Sequence, residues 1–386
     1  MAAKTEPDMQ LILHAPNEDT DLSDRYAHAF ASAIEILVVN AYLTDWDKSL
    51  KLNPRCKHFR MIIGKDFGIT RKAACISVMN WLPASLKANF LVADEIVGFH
   101  PKAVFWKDAN GDVFAIVGSS NLTIAAFATN YEANIFCQIS PDDYQAAKKW
   151  VANIIASSVP VSDDWLEQYR EASRHVPKTS PKQTRVQTDD PVVSLTLPRP
   201  AGMNKQIDVR RQQLAEYAKN SGGLMTLFRN CAEGRITSDK FYNDLPKYWG
   251  GDVGGRLQGS GWERQGKGSD FQALSESFLR IVDAADTDRD DVVIEEMDRL
   301  AKNKVRTRSA FLSEMLCLKF PSLFPVVNKP VKEYLADIKF RAPSGASEGA
   351  KYLDLARKLR VSLKRNPNHP AKNLAELDAV IWLKYQ

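Results

Sequence analysis

The sequence predicts an α/β domain, a mixed sheet flanked by helices, followed by a second, mainly α-helical domain. Three observations carry this. Over the first 160 residues, short apolar runs rich in β-branched side chains alternate with helical patterns. His175–Gly202 then breaks the pattern with five prolines among Thr, Gln and charged residues, which suits an extended linker rather than a packed helix. Beyond it, apolar residues recur mostly at helical spacing. Two domains are also what 386 residues ordinarily form. The boundaries read as 1–165, a linker over 166–203, and 204–386.

Each element follows from its own chemistry. Leu22–Ala33 reads as a helix leading into Glu35–Leu43 (EILVVNAYL), an apolar run typical of a buried strand. Phe59–Gly64 is a second strand, and Thr70 is placed to cap a helix running to about Leu82. Asn89–Ala93 and Phe99–Trp106 are further strands. Asp108–Asp112 (DANGD) is a hairpin turn, because Asn-Gly suits positive φ angles. Val113–Ser120 returns as a strand and Tyr131–Ile139 is another. Pro141 opens a helix over Asp142–Ala156, with acidic residues in its first turn. Within the linker the one strand to expect is Val192–Leu197. Helices then fall at Asp208–Lys219, Ser238–Leu245, Phe271–Ala285, Val292–Lys302, Arg308–Lys319, Lys332–Ile338, Ala350–Arg360 and Ala375–Lys384. A Gly-rich stretch interrupts them at Trp249–Ser269.

Composition excludes several classes. A hydrophobic fraction of 44% with 26% charged residues is globular, not disordered or collagen-like. No run of about 18 apolar residues occurs, so no membrane-spanning helix is predicted, and Met1–Gln10 has no apolar h-region of a signal peptide. Cys56, Cys75, Cys137, Cys231 and Cys317 show no CxxC pairing. They read as buried, reduced thiols, which makes the cytoplasm the natural compartment. Residues 1–160 hold 15 basic and 17 acidic side chains; of the 52 and 47 in the chain, 37 and 30 remain for 161–386, a net of +7. A basic second half suits a polyanionic partner, and ordinary solvated surface charge accounts for it equally well.

The chemistry-bearing stretch is Phe99-His100-Pro101-Lys102, then Gly118-Ser119-Ser120-Asn121, then Glu132. On a strand, residues two apart share a face, so His100 would supply a nucleophile or general acid beside the Lys102 cation. The Asn110-Gly111 hairpin returns the chain antiparallel and delivers Gly118–Asn121 to the same rim. Glu132, at the start of the next strand, could orient an imidazole through its second nitrogen. Alone, a His-x-Lys pair is an exposed strand edge and GSSN a turn; their combination is what points to a site.

In these residues the chain resembles the phospholipase D superfamily, whose pattern is HxK, a later Asp, GSxN, and a Glu about eleven residues past the Asn. Here these are His100 and Lys102, Gly118, Ser119 and Asn121, and Glu132, and the resemblance spans roughly residues 20–157. The family's Asp is displaced: Lys107 holds its place and Asp108 follows, inside the hairpin turn, so Asp108 is left out of the site. The resemblance implies a phospholipase D-like fold for the first domain and metal-free phosphodiester transfer. One His forms a phosphohistidine, and a second protonates the leaving oxygen and later activates water. Lys and Asn hold the non-bridging oxygens as negative charge develops. Of the six histidines, His14, His28, His58, His100, His175 and His369, only His100 is followed two later by Lys. The resemblance therefore implies a homodimer with one active site across the two-fold axis, no cofactor and no metal. The two-part plan is similar to the metal-independent restriction endonucleases of the superfamily, which implies DNA, or RNA, as partner.

In the second half, Trp249–Phe271 mixes glycines with Arg256, Trp262, Arg264 and Lys267. Such residues meet phosphates and stack on bases, and they also suit a flexible connector. Lys304, Arg306 and Arg308 crowd a helix start, where the dipole disfavours cations; a nearby phosphate would remove the conflict, and solvated surface charge is the plainer reading. Ser309–Leu335 is similar to the helical part of helix-hairpin-helix DNA glycosylases, but Asn328 stands where their catalytic Asp would and no activity carries over. Phe311, Leu312, Met315, Leu316 and Leu318 read as a core helix. The reading is a metal-independent DNA nuclease of the restriction or defence type. Two alternatives stand beside it, a phospholipid phosphodiesterase or phosphatidyltransferase, and a non-catalytic nucleic-acid-binding protein on the same fold.

Overall fold

The structure, a computed structural model, describes residues 9–16, 20–172, 193–250, 257 and 266–386. The chain divides into two compact units, Met1–Val193 with Pro343–Ala346, and Ser194–Ala342 with Ser347–Gln386. The first is α/β with a mixed sheet flanked by helices and the second is mainly helical.

The first unit runs β1 (Met9–His14), α1 (Leu22–Ser32), β2 (Ala33–Asn40), β3 (His58–Ile63), α2 (Lys72–Trp81), β4 (Phe90–Val92), β5 (Lys102–Asp108), β6 (Val113–Gly118), α3 (Ile124–Ala128), β7 (Glu132–Gln138), α4 (Pro141–Ile155), β8 (Val159–Pro160) and α5 (Asp163–Gln168). The eight strands lie in the order β1-β7-β6-β5-β2-β3-β4-β8, with β2, β3 and β4 mutually parallel and the other pairs antiparallel. β2 sits between β5 and β3, and its consecutive residues Ile36–Asn40 are all buried, so both of its faces are covered and its apolar run does not alternate. On one face Leu37, Val39, Ile62 and Leu91 pack under Val151 and Ile154 of α4. Elsewhere in the sheet Trp106, Phe114 and Phe136 stack across β5, β6 and β7, with centroids 5.2 to 6.1 Å apart. Such ring pairs add about 0.5–1.5 kcal/mol each beyond their burial.

Several expectations shift. β1, β8 and α5 were not expected, and β5 begins at Lys102 rather than Phe99, so His100 precedes the strand. Thr70 does not cap α2. Its hydroxyl donates to Gly64 O at 2.6 Å and accepts from Leu43 N, tying β3 to the loop after β2. The hairpin forms as read: Asp108 accepts from Asn110 N and Asp112 N, and Gly111 has φ 94°. Of the cysteines, Cys137 is only half-buried and the other four are buried, and none of them forms a disulfide among the described residues.

The second unit contains α6 (Met203–Ala232), α7 (Ser238–Asp244), α8 (Phe271–Asp283), α9 (Arg289–Lys302), α10 (Arg308–Lys319), α11 (Lys329–Asp337), α12 (Glu348–Lys364) and α13 (Leu374–Tyr385). Phe228, Phe241, Phe271, Phe278 and Phe311 meet in its core. α6 continues thirteen residues past Lys219, through Gly222 and Gly223, and the ring of Tyr248 lies where a side chain at position 223 would stand. Residues 193–197 are not a strand, although Val193 and Leu195 are buried. At the cationic start of α10, Arg308 makes a two-pronged pair with Glu348 at 3.0 and 2.9 Å. Asn328 is the side-chain cap of α11, accepting from Val331 N and donating to the buried Asp378. Among the described residues, no helix is long and apolar enough to cross a membrane.

Candidate active site

Antiparallel pairing brings four strand ends to one edge of the sheet. Asn40, last in β2, is the register partner of Lys102, first in β5. Gly118, last in β6, is the partner of Asn134 near the start of β7. The loops carrying Tyr42, His100 and Ser119–Asn121 leave from the same ends. Gly118 must be glycine, since a Cβ there would stand 2.3 Å from Ala133 O and 2.4 Å from Asn134 Oδ1. The close approach lets Ser119 N bond Ala133 O and Ser120 N bond Asn134 Oδ1.

His100 is exposed. Its Nδ1 and Nε2 lie 3.1 and 3.4 Å from Lys102 Nζ, so the cation sits beside the imidazole although His100 is outside the strand. Tyr42 meets the imidazole edge-on, centroids 5.5 Å apart. Burial pulls the Lys102 ammonium below the ordinary lysine value, and the charge of Glu132 opposes that shift. Asn121 accepts from Tyr42 N at 3.2 Å through Oδ1, which leaves its NH2 as a donor. A cation and an amide donor beside an exposed imidazole can hold the oxygens of a phosphate while the ring attacks or protonates.

Glu132 is buried and committed elsewhere than expected. Ser119 Oγ donates to its Oε2, and Asn130 Nδ2 donates to its Oε1 at 3.0 Å. Among the described residues it makes no hydrogen bond to His100. Its role here is to fix the Ser119 corner and to support the charge of Lys102. Thus His100, Lys102, Ser119, Asn121 and Glu132 share one edge, without the predicted imidazole–carboxylate bond. Arg256, Trp262 and Arg264 lie outside the described residues; Lys267 is an exposed turn residue of the second unit.

Three contributors escaped the sequence reading. Asn40 accepts from Leu122 N at 2.9 Å and donates to Tyr42 O, joining two loops of the rim. Asp66 accepts from the amides just before His100. His14 is the register partner of Glu132; its Nδ1 is 2.7 Å from Thr20 Oγ1 and its buried Nε2 has no partner. The one signal for Asn40 was an amide closing an apolar strand. Among the described residues no cluster of three His, Cys, Asp or Glu side chains that could hold a metal ion is found.

No protein family's sequence model matches the chain, and no curated protein matches it. Among solved structures the chain is similar to NucT from Helicobacter pylori, at 17% identity and a TM-score of 0.31, covering 40% of this chain and all of that one.

Proposed function

We propose that the chain is a phosphodiesterase of the phospholipase D type that cleaves nucleic acid, DNA in the first place, without a metal ion. The observation that carries this is the meeting of His100, Lys102, Ser119, Asn121 and Glu132, read from separate motifs, at one edge of the sheet. In this reading a His100 nitrogen attacks phosphorus and the P–O bond to the leaving oxygen breaks. Lys102 and the NH2 of Asn121 take the negative charge that builds on the non-bridging oxygens. A second imidazole must then protonate the leaving oxygen and later activate water. It comes from His100 of a second copy, so one dimer holds one active site.

An exposed apolar row favours that dimer. Leu11, Ile135 and Val117 are successive register partners across β1, β7 and β6, and with Met9 and Leu13 they are 42 to 68% exposed. Such a patch marks an interaction surface, and these strands end at the rim of the site. The second unit, with the net basic charge, is the part assigned to hold nucleic acid.

The test is plasmid cleavage in excess EDTA, with His100→Ala beside the wild type. Cleavage should persist in EDTA and fall more than about 10,000-fold in the variant, which loses nucleophile and general acid together. Activity abolished by EDTA and restored by magnesium, or an unimpaired variant, would refute the reading. Hydrolysis of phosphatidylcholine without cleavage of DNA would move it to the lipid enzymes.

A further inference from the structure

We propose that Asp66 is a positioning residue for His100. This rests on the reading above that His100 is the reacting group. Asp66 follows β3 in the turn Lys65–Gly68, where Phe67 takes a left-handed φ of 59° and Gly68 one of 65°. A non-glycine residue holds such a conformation at a cost, so the surroundings must dictate it. Here the turn is pinned from the far side. Ala172 N donates to Gly68 O at 2.9 Å, so closely that a Cβ on Gly68 would stand 2.5 Å from that nitrogen.

The result is a carboxylate only 5% exposed. Its Oδ2 accepts from Gly98 N at 2.7 Å and from Phe99 N at 3.1 Å. These are the two residues before His100, and Gly98 itself takes φ 74°. Hydrogen bonds to an ionised acceptor are roughly twice as strong as neutral ones. His100 is therefore gripped on its N-terminal side by Asp66, and two residues later by the Lys102–Asn40 pairing of β5 with β2. Pro101 between them contributes no amide hydrogen.

A second route runs through Tyr42. Burial pushes its hydroxyl upward in pKa, and the charge of Asp66 adds to that shift. Its ring is the one that meets His100 edge-on. The Oδ1 of Asp66 is buried with no hydrogen-bond partner, a costly state for a polar oxygen. Stability alone would not select it. A rigid anchor for the loop ahead of the reacting imidazole accounts for it. The family's motif Asp is displaced in this chain; Asp66 belongs to no motif and lies more than thirty residues upstream.

The experiment compares Asp66→Ala and Asp66→Asn in the full chain, with bis(p-nitrophenyl) phosphate as substrate and amide hydrogen exchange read by NMR. Asp66→Ala should lower kcat about 100-fold, the effect of a misplacement near 1 Å, while KM stays close to wild type. Exchange at Gly98 and Phe99 should accelerate. Asp66→Asn keeps an oxygen facing the two amides and should recover most of kcat and of the protection. Unchanged kcat in Asp66→Ala, or exchange at Gly98 and Phe99 as slow as in wild type, would overturn the proposal. So would equal losses of kcat and melting temperature in both variants, which mark a merely structural group. If His100→Ala leaves hydrolysis untouched, the reading of the site fails instead, and the exchange data still judge the anchor.

Discussion

Replacing Asn40 by Ala tests whether the rim of the site is one mechanical unit. The Asn40 carboxamide accepts from Leu122 N, a buried amide, and donates to the partly buried Tyr42 O. Asn121 in turn accepts from Tyr42 N. Alanine removes both bonds and adds no clash. A buried amide left without an acceptor costs about 1–3 kcal/mol, and the Tyr42 carbonyl, which water can reach, adds less. The expected loss is about 2–3 kcal/mol, which in a unit of this size lowers Tm by roughly 5–10 °C. Catalysis should suffer separately. With Leu122 and Tyr42 loosened, the NH2 of Asn121 loses its aim, and kcat should fall between about tenfold and 100-fold at temperatures where the variant is fully folded. Calorimetry and steady-state hydrolysis of a small phosphodiester read the two effects. A Tm within about 1 °C of wild type with unchanged kcat would refute the coupling, because two lost hydrogen bonds would then have no consequence.

Three further outcomes follow from the same geometry. Lys102 is held below its ordinary value of 10.5 by burial, with Glu132 opposing the shift. Glu132→Gln removes the opposing charge and lets Lys102 fall further, so the alkaline limb of the pH–rate profile should move to lower pH; an unmoved or raised limb would separate the two residues. Ile135→Lys places a charge in the middle of the exposed apolar row. It should shift sedimentation toward the monomer and reduce cleavage in proportion to the dimer lost, and a monomer with full activity would dismiss the shared site. Mixing wild type with His100→Ala should lower activity as the square of the wild-type fraction, since mixed dimers hold one imidazole; a linear fall would point the same way as an active monomer.

How much of this was legible beforehand depends on the range of the interaction. β2 could be read because an apolar run through Ile36–Val39 has no stable place except between two strands, a property of the run itself. The hairpin at Asp108–Asp112 could be read because Asn-Gly chooses positive φ locally. α10 and α8 were placed closely, since their apolar spacing belongs to the segment. β1 escaped: Met9–His14 is a short edge strand whose partner β7 begins more than a hundred residues later, and only that pairing makes it a strand. α6 was read only to Lys219; the structure carries it on through Gly222 and Gly223, where the ring of Tyr248 takes the space of a side chain at position 223.

The site divides along the same line. His100, Lys102, Ser119, Asn121 and Glu132 were legible as residue types at a spacing, because their chemistry is written in the side chains. Their wiring was not. The imidazole–carboxylate bond expected of Glu132 gives way to Ser119 and Asn130, since the β6–β7 register sets which groups reach the carboxylate. Asp66, Asn40 and Tyr42 carry no motif, and their hydrogen bonds cross 32, 82 and 79 residues of chain. A contact over such a separation exists only after the sheet has closed, because the order of the strands and their register decide which loops share an edge. Residue types can announce a reaction; the geometry that aims them is a property of the folded sheet.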